Sequence, residues 1–248
     1  MSNPKLSVII PAYNAAEDLK RGILDDVAKY LAKQGYPSEV LIVNDGSSDQ
    51  TAEIVKKNIA DKKSFRLIDN PHKGKAVTVM TGLLESCGEI AVFTDVDQST
   101  PLPEIEKFFP KFEQGFDIVI GSRSGRSGSP FIRKIATLGF SILRTVILGL
   151  NISDTQCGFK AFDRKAIEQI FPPLLKKYQE VNVSGRALNA DFDAGFLFLA
   201  GKKGLKIAEV KVDWHDENPE SANLVKNAID TIKGMIRIRV SDFRGEYA

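Results

Sequence analysis

Two carboxylates one residue apart, Asp95 and Asp97, close the run Glu89-Ile90-Ala91-Val92-Phe93-Thr94. The run reads as a buried strand. A strand that stops in paired acids places them at the carboxyl edge of its sheet, where α/β proteins bind ligands. Hard cations such as Mg²⁺ and Mn²⁺ take oxygen ligands and bridge one or two carboxylates to a substrate's phosphates. Taken alone, Asp95-Val96-Asp97 reads better as a polar loop, because so short a pattern recurs by chance.

Other residues along the chain extend this chemistry. Asp45 follows a second apolar run, Glu39 to Asn44, and could accept from the N3–H of a uracil, or close an Asx-turn. Gly74-Lys75 opens a helical stretch and could face a phosphate with a backbone donor and a cation. Arg123 and Arg126 follow a fifth apolar run and could clamp phosphate oxygens bidentately, or serve as solvated surface charge. Lys160 lies in Cys157-Gly158-Phe159-Lys160-Ala161-Phe162. Lysine is rarely buried unless paired, so its aromatic frame asks for a partner.

The elements that must position these groups alternate. Leu6 to Ile10 is a short apolar strand closed by Pro11. Asn14 reads as a helix N-cap with Glu17 completing a capping box, and the helix is expected to run to Lys33. Strands follow at 39–44, 65–69, 89–94 and 116–121, with helices at 50–60, 76–86 and 102–114 between them, and Asp49 is placed to cap the first of these. Alternation with short connections argues for a mainly parallel sheet covered by helices on both faces. Right-handed crossovers then bring the loops that start at Pro11, Asp45 and Asp95 to one edge. The second half is less regular. A Gly/Ser-rich loop spans 122–130, a helical stretch 131–150, a short strand 158–162, an apolar helix 186–201 and a half-exposed strand 206–214. A final amphipathic helix covers 222–239. The expected organisation is one domain over 1–221, in two halves (1–121 and 122–221), followed by a C-terminal helix over 222–248.

Composition narrows the classes. The chain has 248 residues, 43% hydrophobic and 27% charged, enough for an ordinary core. A net charge of +2 gives no basic surface for nucleic acid. Cys87 and Cys157 stand far apart and form no metal-ligand spacing, and a reducing cytosol is the default expectation. No signal-peptide pattern opens the chain. No uncharged apolar run approaches the ~20 residues that span a bilayer, and the nearest, 135–150, contains Arg144.

Ser7-Val8-Ile9-Ile10-Pro11-Ala12-Tyr13-Asn14 resembles the opening of the family 2 glycosyltransferases. Val43-Asn44-Asp45-Gly46-Ser47-Ser48-Asp49 and Asp95-Val96-Asp97 resemble that family's next two motifs, in the same order. Gly121-Ser122-Arg123 and Asp154-Thr155-Gln156-Cys157-Gly158-Phe159-Lys160-Ala161-Phe162 are similar to the acceptor side of the dolichyl- and polyprenyl-phosphate glucosyltransferases. Phe192-Asp193 and the segment 209–214 fit the same subgroup.

The resemblance implies a GT-A fold and a nucleotide-diphosphate sugar donor. It places Pro11, Ala12, Tyr13, Asn14, Asp45, Gly46, Ser47, Gly74, Lys75, Asp95 and Val96 around the donor, with Asp45 on the base. It gives Asp95 and Asp97 an Mg²⁺ or Mn²⁺ ion. It gives Arg123, Arg126, Gln156 and Lys160 the acceptor. Asp97, Arg123, Lys160 and Asp193 become the catalytic set of an inverting hexosyltransferase, with glucose from UDP-glucose moving to a polyprenyl phosphate. A phosphate monoester is largely ionised near neutral pH and needs little help from a base. An alcohol acceptor would need one, and Asp193 is the candidate. GDP-mannose as donor, a soluble saccharide as acceptor, and a nucleotide-sugar-binding protein without turnover are the alternatives. The chain departs from the family pattern at Ala15, Ala76, Met80 and Gly195, the last where the subgroup has a carboxylate.

A lipid acceptor raises the question of membrane contact. The stretch 131–150, with Arg133, Lys134 and Arg144 toward headgroups, is the candidate interfacial helix of a cytoplasmic, peripheral protein. A core or oligomer-interface helix explains the same pattern. The sequence leaves the oligomeric state open.

Overall fold

The computed structural model describes residues 3–123, 139, 143–179, 192–215 and 224–247, with the backbone alone for 224–230. Seven strands form one sheet in the order β3-β2-β1-β4-β6-β5-β7. They are β1 (Leu6–Ala12), β2 (Ser38–Asp45), β3 (Phe65–Asn70), β4 (Ile90–Phe93), β5 (Ile118–Ser122), β6 (Lys160–Asp163) and β7 (Ile207–Lys211). All pair in parallel except β6, which runs antiparallel to both β4 and β5. The sheet is therefore mainly parallel, as the alternation of elements predicts. It is also continuous across residue 121, where two halves were expected to meet.

The central strands are apolar on both faces because both faces are covered. Every residue of β1 is buried. Alternation sends Ile9, Val43, Ala91 and Phe93 to one face, under α4 (Lys75–Glu85), α7 (Arg164–Gln179) and α8 (Phe192–Lys202). Val8, Ile10, Val40, Ile42 and Val92 face the other way, toward α2 (Ile23–Leu31), α3 (Thr51–Ile59) and the 3₁₀ turn Leu102–Lys107 that leads into α5 (Phe109–Glu113). On the first face, Phe162 meets Phe171 and Phe196 edge-on at centroid distances of 5.1 and 5.4 Å. Such pairs add about 0.5–1.5 kcal/mol each beyond simple burial.

Some local expectations are corrected. The helix after β1 is two helices, α1 (Ala16–Lys20) and α2, divided at Gly22, whose φ is 85°. Asn14 is not the N-cap: its own φ is 48° and Ala15 holds the cap position without a side-chain bond. The orphan donors at this helix start are met from across the chain instead. Ala15 N–H donates to Thr51 Oγ1 at 2.8 Å and Ala16 N–H to Asp49 Oδ2 at 3.1 Å. Asp49 also accepts from Thr51 N–H at 3.0 Å, so one carboxylate serves two helix starts. β6 begins at Lys160, two residues later than expected. α7 continues through Pro172 and Pro173, held by Ile167, Ile170, Phe171 and Leu174 on its buried face. The loop 124–130, most of 131–142 and the start of the helix expected at 186 lie outside the described residues, and 143–148 is the described part of α6.

Topology creates the crevice. The chain steps outward from β1 to β2 to β3, then returns to place β4 on the other side of β1. The loops after β1 and β4 diverge at this switch point, and ligands bind in such openings. Antiparallel β6 adds a third contributor. Its first residue, Lys160, stands level with Phe93 at the end of β4 and with Ile120 near the end of β5. Asp95 and Arg123 lie two and three residues beyond that row, on the same edge.

Candidate active site

The wall beside β1 and β2 is built from paired loops. Pro11 and Ala12 are buried at the end of β1, and Tyr13 follows half-buried. Asn14 N–H donates to Ser47 Oγ at 2.9 Å, and Asn14 Oδ1 accepts from Ser48 N–H at 2.9 Å, locking the first loop to the second. Gly46 has a φ of 64°, and a Cβ there would lie 2.7 Å from the His72 nitrogen. The absence of a side chain lets the 72–74 segment close over Asp45. The Asp45 carboxylate accepts from Lys73 N–H at 2.8 Å and Gly74 N–H at 3.0 Å, and His72 Nδ1 lies 2.9 Å from it. The His72 ring stacks on Tyr13 with centroids 4.3 Å apart and planes 15° from parallel. Tyr13, Asp45 and His72 thus form one braced flat surface.

The carboxylates sit next to it. Lys75, at the first position of α4, reaches Asp95 Oδ1 at 2.5 Å. Burial works against the lysine's charge. The Asp95 carboxylate more than offsets that, with Asp193 and Asp97 adding, so its pKa stands above the ordinary lysine range. Three acids therefore favour the charge on one ammonium, Asp95 by direct contact. Asp97 Oδ1 accepts from Ser99 N–H at 2.9 Å, and the described residues give its second oxygen no partner. Gly158 presses against Asp95: a Cβ there would come within 1.9 Å of Oδ2. Val96, between the two acids, packs partly buried against the second core face.

Lys160 is fully buried. Its ammonium donates to Asp193 Oδ1 at 2.6 Å and to the Cys157 carbonyl at 2.5 Å, and it lies 5.2 and 5.7 Å from the Phe93 and Phe196 ring centres. Asp193 opens α8 and remains about a third exposed. The expectation put Lys160 against an acceptor's phosphate; the structure puts its ammonium beneath the surface, with Asp193 above it.

Across the opening, Arg123 makes a two-pronged pair with Asp154, Nε to Oδ2 at 2.7 Å and Nη2 to Oδ1 at 2.9 Å. Burial alone would raise the Asp154 pKa, but the guanidinium holds it below the usual carboxylate range. Arg123 also stands 5.6 Å from the Trp214 ring centre. Glu209 accepts from the backbone of Ser153 and Asp154, fixing the loop that carries the pair. Gln156 is exposed on the same loop, its N–H donating to Asp154 Oδ1 at 3.1 Å. Arg126 lies outside the described residues.

Asp45, Gly74, Lys75, Asp95, Asp97, Lys160 and Asp193 thus converge at one edge, with Arg123 on the flanking loop. His72, Asp154, Trp214 and Gly158 join them without having been singled out. Asp154, Gly158 and Trp214 carried a signal, as members of the quoted motifs, and His72 did not. Among the described residues, no group of three or more His, Cys, Asp or Glu is arranged to hold a metal by itself.

Comparison with known proteins shows the family. Residues 7–171 match the family described as glycosyl transferase family 2. A dolichyl-phosphate beta-glucosyltransferase of Dictyostelium discoideum is 33% identical over 258 aligned positions, covering 96% of this chain and 75% of that one. Among solved structures, mannosyl-3-phosphoglycerate synthase from Rubrobacter xylanophilus superposes with a TM-score of 0.69 at 17% identity, covering 97% of this chain and 75% of that one. Glucosyl-3-phosphoglycerate synthase from Mycobacterium tuberculosis, solved with Mn²⁺, uridine diphosphate and glucosyl-3-phosphoglycerate, gives 0.62 at 18% identity, covering 95% of this chain and 80% of that one. At such identities the structural likeness establishes the GT-A fold.

Proposed function

This chain belongs to glycosyl transferase family 2 and is a hexosyltransferase, and we propose that it moves glucose from UDP-glucose onto dolichyl or a related polyprenyl phosphate. The observation that carries the substrate reading is the 33% identity to a dolichyl-phosphate beta-glucosyltransferase along 96% of the chain. The site supports it with two features: a flat wall for a base beside an acidic cluster, and an arginine facing that cluster from a separate loop.

In this reading the uracil lies along the Tyr13–His72 surface, with Asp45 at its edge. Asp95 and Asp97 fit a hard divalent cation. They are two oxygen donors at a strand end, and Asp97 keeps an oxygen that no described residue occupies. The two carboxylates would hold the ion through oxygen, the ligand type that Mg²⁺ and Mn²⁺ favour. The ion, when bound, supplies Lewis-acid stabilisation of the charge on the departing nucleotide. Lys75 balances the acids and orients Asp95. Arg123, already fixed by Asp154, presents its remaining donors to the acceptor phosphate. That phosphate is itself the nucleophile and is held for in-line attack with inversion, so positioning replaces base catalysis. Lys160 acts through Asp193, holding its carboxylate at the rim of the opening.

The test is a donor screen monitored by nucleotide release, with and without a short polyprenyl phosphate and Mn²⁺. UDP-glucose should turn over only when the lipid phosphate is present, and GDP-mannose should not substitute. Asp97→Ala should lower turnover by a factor of at least about 10²; unchanged turnover would remove the metal role. Lys160→Met should cost about 2–4 kcal/mol in unfolding free energy, at or below the range for breaking a buried pair because Asp193 is partly solvated. Its nucleotide affinity should stay near wild type while turnover falls.

A further inference from the structure

The last helix, α9 (Leu224–Phe243), is apolar on the side turned away from the core. Met235, Ile238 and Ser241 are buried against the body of the protein. Ile236, Val240 and Phe243 are 51%, 40% and 87% exposed. Steps of four and three residues place them in one stripe, opposite the buried side. A helix that only covers a core carries polar residues there. Val146, 74% exposed on the helical segment 143–148, stands next to this face, because Arg239 Nε donates to the Ile147 carbonyl at 2.6 Å.

The charge around the stripe is one-sided. Lys233, Arg237 and Arg244 are exposed along one flank. Of the acids described at this end of the helix, Asp242 pairs with Lys202 at 2.6 Å and Arg239 at 3.6 Å, and Glu246 with Lys177 at 3.0 Å. We propose that this face of α9, with Val146, docks the protein on an anionic lipid bilayer. Apolar side chains flanked by a row of cations match the acyl boundary and the headgroups of such a surface. A second copy of the chain fits less well. A stable protein interface takes about 20–30 residues a side, and self-pairing would bring the same cations together. Arg144 takes no part. It is buried and donates to the Ile152 carbonyl, so it does not reach toward headgroups as the expectation for 131–150 had it.

The proposal does not rest on the acceptor assigned above, because plain phospholipid vesicles test it. The intact protein should float with vesicles of phosphatidylcholine and phosphatidylglycerol, bind vesicles of phosphatidylcholine alone more weakly, and be released at high salt. Ile236→Ser/Val240→Ser/Phe243→Ser should bring flotation down to the level without vesicles. Phe243→Ser alone, at the most exposed position, should weaken it with no change in melting temperature. Lys233→Glu/Arg237→Glu should weaken binding to the anionic vesicles by more than about tenfold. Wild-type protein that stays unbound, or a triple variant that floats like wild type, overturns the proposal. So does a concentration-dependent dimer that the triple variant abolishes. Turnover of UDP-glucose with a short water-soluble acceptor, measured in parallel, reports on the catalytic reading alone.

Discussion

At the scale of single residues, the site depends on one close approach. Gly158 lets the acceptor-side loop lie against Asp95, and a Cβ there would come within 1.9 Å of the carboxylate. Asp95 is also the partner of Lys75. Gly158→Ala must therefore displace the Asp95 carboxylate, whose other oxygen Lys75 holds, and a shift of about 1 Å in a catalytic group can cost about 10²-fold in rate. The expected outcome is a loss of that order in kcat with the melting temperature nearly unchanged, read from steady-state kinetics beside a thermal melt. Much of the site was legible beforehand, for a physical reason. Asp95, Asp97 and Asp45 are polar residues at the ends of apolar strands, where sequence fixes position. Lys160 stood out as a cation in an apolar frame, yet its burial beneath Asp193 depends on a contact 33 residues away. His72 and Asp154 act through partners 27 and 31 residues distant, Asp45 and Arg123. No local pattern marks such pairs.

At the scale of elements, two helical glycines separate packing from propensity. Gly82 in α4 lies against β1 and β2: a Cβ would meet Ile9 Cγ2 at 2.4 Å and Val43 Cγ2 at 3.0 Å. Gly82→Ala should destabilise by about 1–3 kcal/mol, the usual cost of overpacking. Gly195 in α8 has room, since its nearest neighbour would be Tyr178 Oη at 3.7 Å. Gly195→Ala should stabilise by about 0.5–1 kcal/mol through helix propensity. Denaturant unfolding of both variants should give opposite signs; the same sign in both would show that helix propensity, not space, governs. The strands were readable at this scale because buried parallel strands are plain apolar runs. The helices were less so. Asn14 and Glu17 suggested a cap that Thr51 and Asp49 supply from another loop, and Gly22 divides a helix whose apolar spacing runs on past it. The antiparallel direction of β6 shows only in its pairing with β4 and β5, which periodicity does not encode.

At the scale of the whole molecule, acid should loosen the fold, and the sheet's far edge shows why. Asp117, just before β5, accepts from Lys206 N–H at 2.7 Å and from Lys165 Nζ at 2.8 Å. It thereby fixes the start of β7 and the first turn of α7. Burial would raise its pKa, but these two donors outweigh burial and hold it below the ordinary 3.8. Asp49 and Asp154 are likewise held below 3.8 despite burial, by Thr51 and by Arg123. A carboxyl with a depressed folded-state pKa contributes stability that is complete above the unfolded value and is lost as pH falls through the folded one. Asp163 runs the other way. Burial raises its pKa, so protonating it favours the folded state as pH drops. Glu246 is also held below its ordinary 4.5, by Ser241 and Lys177, so four depressed groups against one raised group give a net loss on acidification, beginning near 4 and continuing below it. The melting temperature should therefore fall steeply below about pH 4. Asp117→Asn keeps the shape but removes one titration, so its melting temperature should start lower near neutrality and decline less steeply in acid. Parallel curves for the two proteins would show that Asp117 carries no part of the acid sensitivity. Asp117 lies at the amino edge of β5, remote from the crevice, so activity per folded molecule should be unchanged in the variant.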